Sequence, residues 1–469
     1  MTVVDTAEKW LPSHIHARLL PLVDRMDAIL RQRDRHAQAQ RMALSAFAIR
    51  VVSAGIAFGS QIVLARLMGS FEYGIFVFVW ALAVIFGNLS CFGFHTAIIR
   101  FLPGYQDEKA NAEIRGLTQT ARRFAVASAS FVVLVGMIGV QLFGDAISDY
   151  YLVPLYLGMI TLPMIALGDV LDGTARANNW PLFGLGATFL LRPTLILVFM
   201  VIAAASGMER TAETALEAAI LATYLTTIAQ YWAVTLRVKR RFATPLKTIT
   251  FRRWFLVALP IFFIEGFYFL LTNSDVIVVG FFVPPEQVAV YFASAKTMAL
   301  VHFVYFAVRA GAQPRFSQLV TEGDRASLAD FARQTIRWTF WPSLFVGSLV
   351  LLAGPFLLSL FGPGFAEGEA LMAILFAGIM AKSLIGPGEV LLTMTGHQTI
   401  CAFVYLCVLI TNVALNIALI PSFGLFGAAT ATALSMGLEA ILLFTVVRWR
   451  LKFAMVLFAP RPATAGSSR

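Results

Sequence analysis

The chain is poor in charge. Asp, Glu, Lys and Arg supply only 13% of its 469 residues, while hydrophobic residues supply 59% and the mean hydropathy is +0.78. A soluble domain is roughly a quarter charged and half apolar, so a water-surrounded globular fold is excluded. Cysteine is scarce as well: Cys91, Cys401 and Cys407 all fall in apolar runs. An odd number with no paired spacing excludes a disulfide framework and a cysteine metal site. No glycine-rich phosphate loop closing on Lys-Ser/Thr occurs, and no HExxH, which argues against nucleotide hydrolysis and zinc chemistry. No connecting stretch is long enough for a soluble catalytic domain. The expectation is a protein that is not an enzyme and needs no cofactor or metal.

What the chain does have is long apolar runs. They fall near 43–66, 71–94, 123–144, 151–171, 181–205, 216–237, 254–283, 287–309, 338–361, 370–390, 398–420 and 424–447. About twenty residues at 1.5 Å each cross a hydrocarbon core of about 30 Å. Lipid offers the backbone no hydrogen-bond partners, and the alternation of barrel strands is missing, so the runs predict helices. The expected fold is an all-α polytopic membrane protein of about twelve transmembrane helices.

Positive charge orients them. Of the 36 Lys and Arg, only Arg66 and Arg210 fall on one side and Arg50, Arg192, Lys296 and Lys382 inside runs. The rest crowd the amino terminus, the even-to-odd loops and the tail. This bias predicts both termini in the cytoplasm. The net charge of +10 and the basic stretch Arg237–Arg253 (RVKRRFATPLKTITFRR) are thus topology signals, and nucleic acid is not an expected partner. The first apolar run starts at Ala43, so no cleavable signal is read. Ile15, Leu19, Leu22, Met26 and Ile29 recur at helical spacing among charges, predicting a membrane-surface amphipathic helix.

The map also repeats. A shift of about 215 residues lays the first six runs on the last six, and Ala65–Phe76 (ARLMGSFEYGIF) answers Gly280–Phe292 (GFFVPPEQVAVYF). The organisation read from this is a cytoplasmic amphipathic segment (1–42), a six-helix half (43–237), a basic linker (238–253), a second six-helix half (254–450) and a cytoplasmic tail (451–469). Equal, even halves share orientation, so a substrate site is expected between them near mid-membrane, with alternating access by rocking.

Ionisable residues inside the runs mark that site, because each costs about 2.5–3.5 kcal/mol at a helix centre unless it faces a cavity or partner. Arg192, Glu265, Lys296 and Lys382 come out roughly 14–18 Å from a membrane face, and Arg50 about 10 Å. Asp169, Glu389 and Glu439 lie nearer the inner face, Asp275 nearer the outer. Arg50, Arg192, Lys296 and Lys382 form a candidate cationic cavity for an anionic ligand, arginine as a planar fork and lysine as a point charge. Glu265 and Asp275 are candidates for proton or sodium coupling. The competing reading is internal ion pairing, for example Arg50 with Glu265. His302 reads as packing, and Asn88, Asn412 and Asn416 as interhelical hydrogen bonds.

Asn412–Ser435 (NVALNIALIPSFGLFGAATATALS) closely resembles the penultimate-to-last-helix segment of polysaccharide flippases of the multidrug/oligosaccharidyl-lipid/polysaccharide (MOP) exporter superfamily. Arg66–Phe76 (RLMGSFEYGIF) looks like that family's first outer hairpin. Ser274–Phe282 (SDVIVVGFF) with Tyr291 and Lys296 looks like its span 7–8 segment, and Pro314–Leu328 (PRFSQLVTEGDRASL) like its central connector. Ala289 stands where a glycine is more usual. The resemblance implies a MOP/MATE-like fold in the bacterial inner membrane. It implies flipping of a polyprenyl-pyrophosphate-linked oligosaccharide for surface polysaccharide, with membrane lipid and a polysaccharide polymerase as partners. Three other readings stay open. They are a drug/cation antiporter, expected to have an acid-dominated cavity, a lipid II flippase, usually with two extra spans, and a membrane-embedded glycosyltransferase or polymerase.

Overall fold

The computed structural model describes residues 35–457 other than Pro245 and Val456, with side chains from residue 51 onward. The amphipathic segment around Ile15–Ile29, the side chain of Arg50 and most of the tail lie outside the described residues. Among the described residues every regular element is a helix and no strand occurs, as lipid requires of open backbone.

The amino-terminal half comprises α1 (Arg35–Leu89), α2 (Phe94–Asp107), α3 (Asn111–Phe143), α4 (Asp149–Ala177), α5 (Pro181–Gly186), α6 (Arg192–Ala205) and α7 (Ala212–Arg241). The other half comprises α8 (Phe251–Phe282), α9 (Pro285–Met298), α10 (His302–Glu322), α11 (Arg325–Leu352), α12 (Gly354–Ser359), α13 (Glu369–Ser383), α14 (Gly388–Met394) and α15 (Gln398–Leu451). Short 3₁₀ or π turns join several of them.

Among the described residues ten stretches are long and apolar enough to cross a membrane. Two contain far more residues than one crossing needs. The 55 residues of α1 would reach about 80 Å as one rod, but Gly69 breaks the rod with φ 79° and ψ 172°. Tyr73 then donates its hydroxyl to Gln61 Oε1 at 2.8 Å, whereas twelve residues along a straight helix span about 18 Å. The chain has therefore folded back. Gly424 (φ 55°, ψ −134°) does the same in α15. Beyond it, a Cβ on Gly427 would lie 3.0 Å from Ile420 N and run into the Leu419 carbonyl. Glycine supplies the positive φ at one position and the close approach at the other. With both rods folded back, the described helices are consistent with about twelve crossings.

Three apolar cores organise the helices. One runs through both halves at the end carrying the Gly69 hairpin, from Leu64, Tyr73 and Phe76 to Tyr291, Phe361 and Phe365. At the opposite, basic end the core divides: one part lies in the amino-terminal half with Trp254 and Ala258 of α8, the other in the carboxyl-terminal half. The two segments that answer each other in sequence meet at the hairpin end. A Cβ on Gly74 would run into the Pro285 carbonyl, and Phe78 packs over Gly280 and Phe281. Tyr73 touches Phe292, and Arg66 donates to the carbonyls of Ser359 and Leu360 at 2.6 Å each. One core thus spans both halves at the hairpin end, and two separate cores lie at the other.

Helix α8 belongs by sequence to the second half but starts on the first. Trp254 Nε1 donates to the Tyr105 hydroxyl at 3.1 Å, and Thr248 N–H to the Ala112 carbonyl at 3.2 Å. Its far end packs along α15. The helix also keeps contact with the first half along its length, through Phe262, Glu265 and Phe281.

Candidate functional site

Arg192 follows a π turn, Ala187–Leu191, and precedes Pro193. Proline has no N–H to give the carbonyl four residues back and its ring crowds that carbonyl. The helix widens just ahead of it, as π turns at functional sites do. The Arg192 side chain is carried inward and is only 6% exposed. Its guanidinium lies over Gly168 of α4, beside Thr227 and Gln230 of α7. Nε is buried without an acceptor, and among the described residues Arg192 makes no ion pair. Asp169 is near enough to act on its charge but is held by Asn88, whose Nδ2 donates to it at 2.8 Å.

Lys296 sits on α9, between fully buried Ala293 and Thr297. Its ammonium lies 5.1 Å from the Phe292 ring centroid. The side chain is exposed. Among the described residues no carboxylate reaches it. Helices α6 and α9, from opposite halves, both build the core that joins the halves.

Lys382 is different. Its Nζ stands 2.8 Å and 2.9 Å from the two oxygens of Glu439, whose side chain is 3% exposed. The ion-pair reading holds for this residue, because a buried carboxylate already takes up its charge. The cationic set narrows to Arg192 and Lys296, with the Arg50 side chain outside the description.

The two acids also part company. Glu265, at the middle of α8, accepts from Thr96 at 2.8 Å and meets His95 Nε2 at 3.1 Å. It therefore faces the amino-terminal half. Gly93 (φ 74°) permits this contact, since a Cβ there would run into the Ala258 carbonyl of α8. Asp275 faces its own half. It accepts from Thr432 at 2.9 Å and Tyr291 at 3.4 Å, with Asn412 beside it, and Oδ1 is buried without a partner. Asn416 bonds back to Asn412 within α15 rather than across helices.

Sequence reasoning passed over His95 and Thr96, because no local pattern links them to a glutamate some 170 positions away. It also passed over Arg309, which lies 4.0 Å from buried Glu389. Its position at the end of an apolar run read as a boundary charge.

The family model described as "Polysaccharide biosynthesis protein" matches residues 41–320, more than half of the chain, and the MatE model matches residues 260–418. No curated protein sequence matches the chain. Among solved structures it is similar to an inward-facing multidrug resistance MATE family transporter of the MOP superfamily. That match is 15% identical, covers 88% of this chain and 98% of the other, and has a TM-score of 0.67. It is similar to the lipid II flippase MurJ in an inward closed conformation (13% identical, 86% and 87% covered, TM-score 0.65). A third match is a MOP superfamily transporter from Pyrococcus furiosus, described as having a binding pocket of reverse polarity (16% identical, 90% and 97% covered, TM-score 0.59). Identities this low speak for the fold. Together with the family match over residues 41–320, they establish that the chain belongs to the polysaccharide biosynthesis protein family and carries the MOP-superfamily transporter fold.

Proposed function

We propose that the protein flips a polyprenyl-pyrophosphate-linked oligosaccharide from the inner to the outer leaflet of a bacterial inner membrane for surface polysaccharide synthesis. The basic end lies in the cytoplasm. The observation that carries this reading is the pair Arg192 and Lys296, one from each half, neither in an ion pair with a carboxylate among the described residues. A buried guanidinium whose Nε lacks an acceptor suits an anion. A pyrophosphate drawn between two halves would neutralise both cations, and its release would follow when the halves rock. With the halves joined at the hairpin end, the site faces the basic end, ready to load from the cytoplasm.

Membrane potential favours this direction. Each negative charge leaving a negative interior gains about 2.3 kcal/mol per 100 mV. The orphaned Asp275 oxygen supports a second driving force, proton or sodium entry, and with the MatE match it keeps a cation antiporter as the competing reading.

Deleting the gene is expected to remove a surface polysaccharide while its lipid-linked repeat unit accumulates on the inner leaflet. Unchanged surface glycan together with new drug sensitivity would refute the flippase and favour the antiporter.

A further inference from the structure

We infer that the groove between α10 and α11 binds an anionic phospholipid of the leaflet at the basic end, with one acyl chain lying between the helices and the phosphate resting on Arg315. The inference concerns the lipid around the protein and does not depend on what the protein carries. The groove is an open cleft of about 580 Å³, lined by α10 from Ala307 to Arg315 and by Phe331 and Trp338 of α11. Small residues open it. Ala307, Gly311 and Arg315 recur every four positions and share one face of α10. A Cβ on Gly311 would meet nothing within 4 Å, so the space above it is free. Buried Ala312 closes the floor. Phe331 and Trp338, with ring centroids 6.0 Å apart, make the opposite wall.

This groove faces lipid. Trp338, Trp341, Phe345, Leu349 and Leu352 of α11 are all exposed, and they recur at intervals of three and four, which makes one stripe. In a membrane-spanning helix such a stripe is covered by hydrocarbon. A slot left empty in that surface would forfeit dispersion contacts along its whole lining. A flexible acyl chain restores them.

Depth and charge select the lipid. The two helices turn back between Glu322 and Arg325, next to the basic-end core that contains Phe316, Leu319 and Leu328. From Ala307 to Arg315 the groove runs about 12 Å, most of the roughly 15 Å of hydrocarbon in one leaflet. Arg315 therefore stands at the headgroup end. It is exposed, and among the described residues no carboxylate forms an ion pair with it. Its Nη1 donates to Gln318 at 2.7 Å, and Gln318 in turn donates to Glu322 at 2.7 Å, one turn further out. The guanidinium keeps donors free for phosphate oxygens. One cation matches the single negative charge of a phosphodiester, whereas a zwitterionic headgroup brings a cation of its own.

Trp338 is the reporter for the test, because bromine on an acyl chain quenches indole fluorescence at contact. The full-length protein is reconstituted in phosphatidylcholine vesicles, and the share of Trp338 is obtained by difference from Trp338→Phe. Brominated phosphatidylglycerol is expected to occupy the groove about fivefold more tightly than brominated phosphatidylcholine. Arg315→Gln should abolish that preference. Gly311→Leu should lower the quenching of Trp338 by both lipids, since leucine fills the slot. Equal quenching by the two lipids, a preference that survives Arg315→Gln, or quenching unchanged by Gly311→Leu would overturn the site. No quenching of Trp338 by either lipid would also overturn it, by showing a second protein chain over the groove. Displacement of the brominated lipid by a small mole fraction of undecaprenyl phosphate would overturn it as well, by giving the groove to a polyprenyl chain.

Discussion

Replacing Lys382 and replacing Arg192 should have opposite consequences, although the two cations look alike in sequence. Lys382 lies against both oxygens of a Glu439 carboxylate that is 3% exposed. Lys382→Met leaves that carboxylate buried and unpaired, at a cost of about 3–5 kcal/mol. Each 1.4 kcal/mol is tenfold, so the folding equilibrium falls roughly a hundred- to several-thousandfold. Adding Glu439→Leu removes the orphaned charge and should return most of the loss, since apolar replacement of a whole buried pair is close to neutral. Arg192→Gln removes a guanidinium whose Nε already lacks an acceptor, so stability should stay within about 1 kcal/mol while polysaccharide export fails. Thermal unfolding of the purified proteins in nanodiscs gives the first quantity. Complementation of a deletion strain, scored by surface polysaccharide at matched membrane level, gives the second. An Arg192→Gln protein that melts with Lys382→Met, or one that exports normally, would refute the separation of ligand cation from structural cation.

Lys296→Gln should behave like Arg192→Gln, and Arg192→Lys should keep part of the export, because charge survives while the fork is lost; full export by both neutral variants would remove the cationic site altogether. Orientation can be checked with single cysteines at the exposed positions Glu209 and Glu367, which should react with an impermeant reagent on intact cells, and at Lys247 and Glu322, which should not. Pro285 would be a poor reporter, being buried against Gly74. Gly74→Val should wedge the hairpin end apart against the Pro285 carbonyl, raising the labelling of a cysteine placed at buried Phe361 severalfold in purified protein; unchanged labelling would show that this contact does not close the outer side. Asp275→Asn should abolish any dependence of export on an imposed sodium or proton gradient while leaving pyrophosphate binding intact, as read by flux into vesicles.

The fold was legible to an unusual degree. Apolar runs of about twenty residues dictate helices that cross lipid. The breaks between runs fall where Gly69 and Gly424 take positive φ, so even the two hairpins hidden inside continuous helices were marked in sequence. Close backbone approach occurs at Gly427 against Leu419 and at Gly378 against Ala433. The candidate site was legible only in part. Depth along a helix identified which ionisable residues lie in the membrane, but depth carries no information about angle.

What the sequence determined by itself is therefore one-dimensional: where the chain is apolar, where it turns and how its two halves align. These follow from local physics, since backbone amides in lipid must bond within their own segment and long apolar runs favour lipid wherever they pack. Only the tertiary structure decided who lies opposite. It paired Lys382 with Glu439 across 57 positions, gave Glu265 to His95 and Thr96 across the two halves, and left Arg192 and Lys296 without ion pairs among the described residues. Whether a buried charge is a strut or a binding site depends on the few ångströms around it, and helix rotation and the approach of the two halves set those distances.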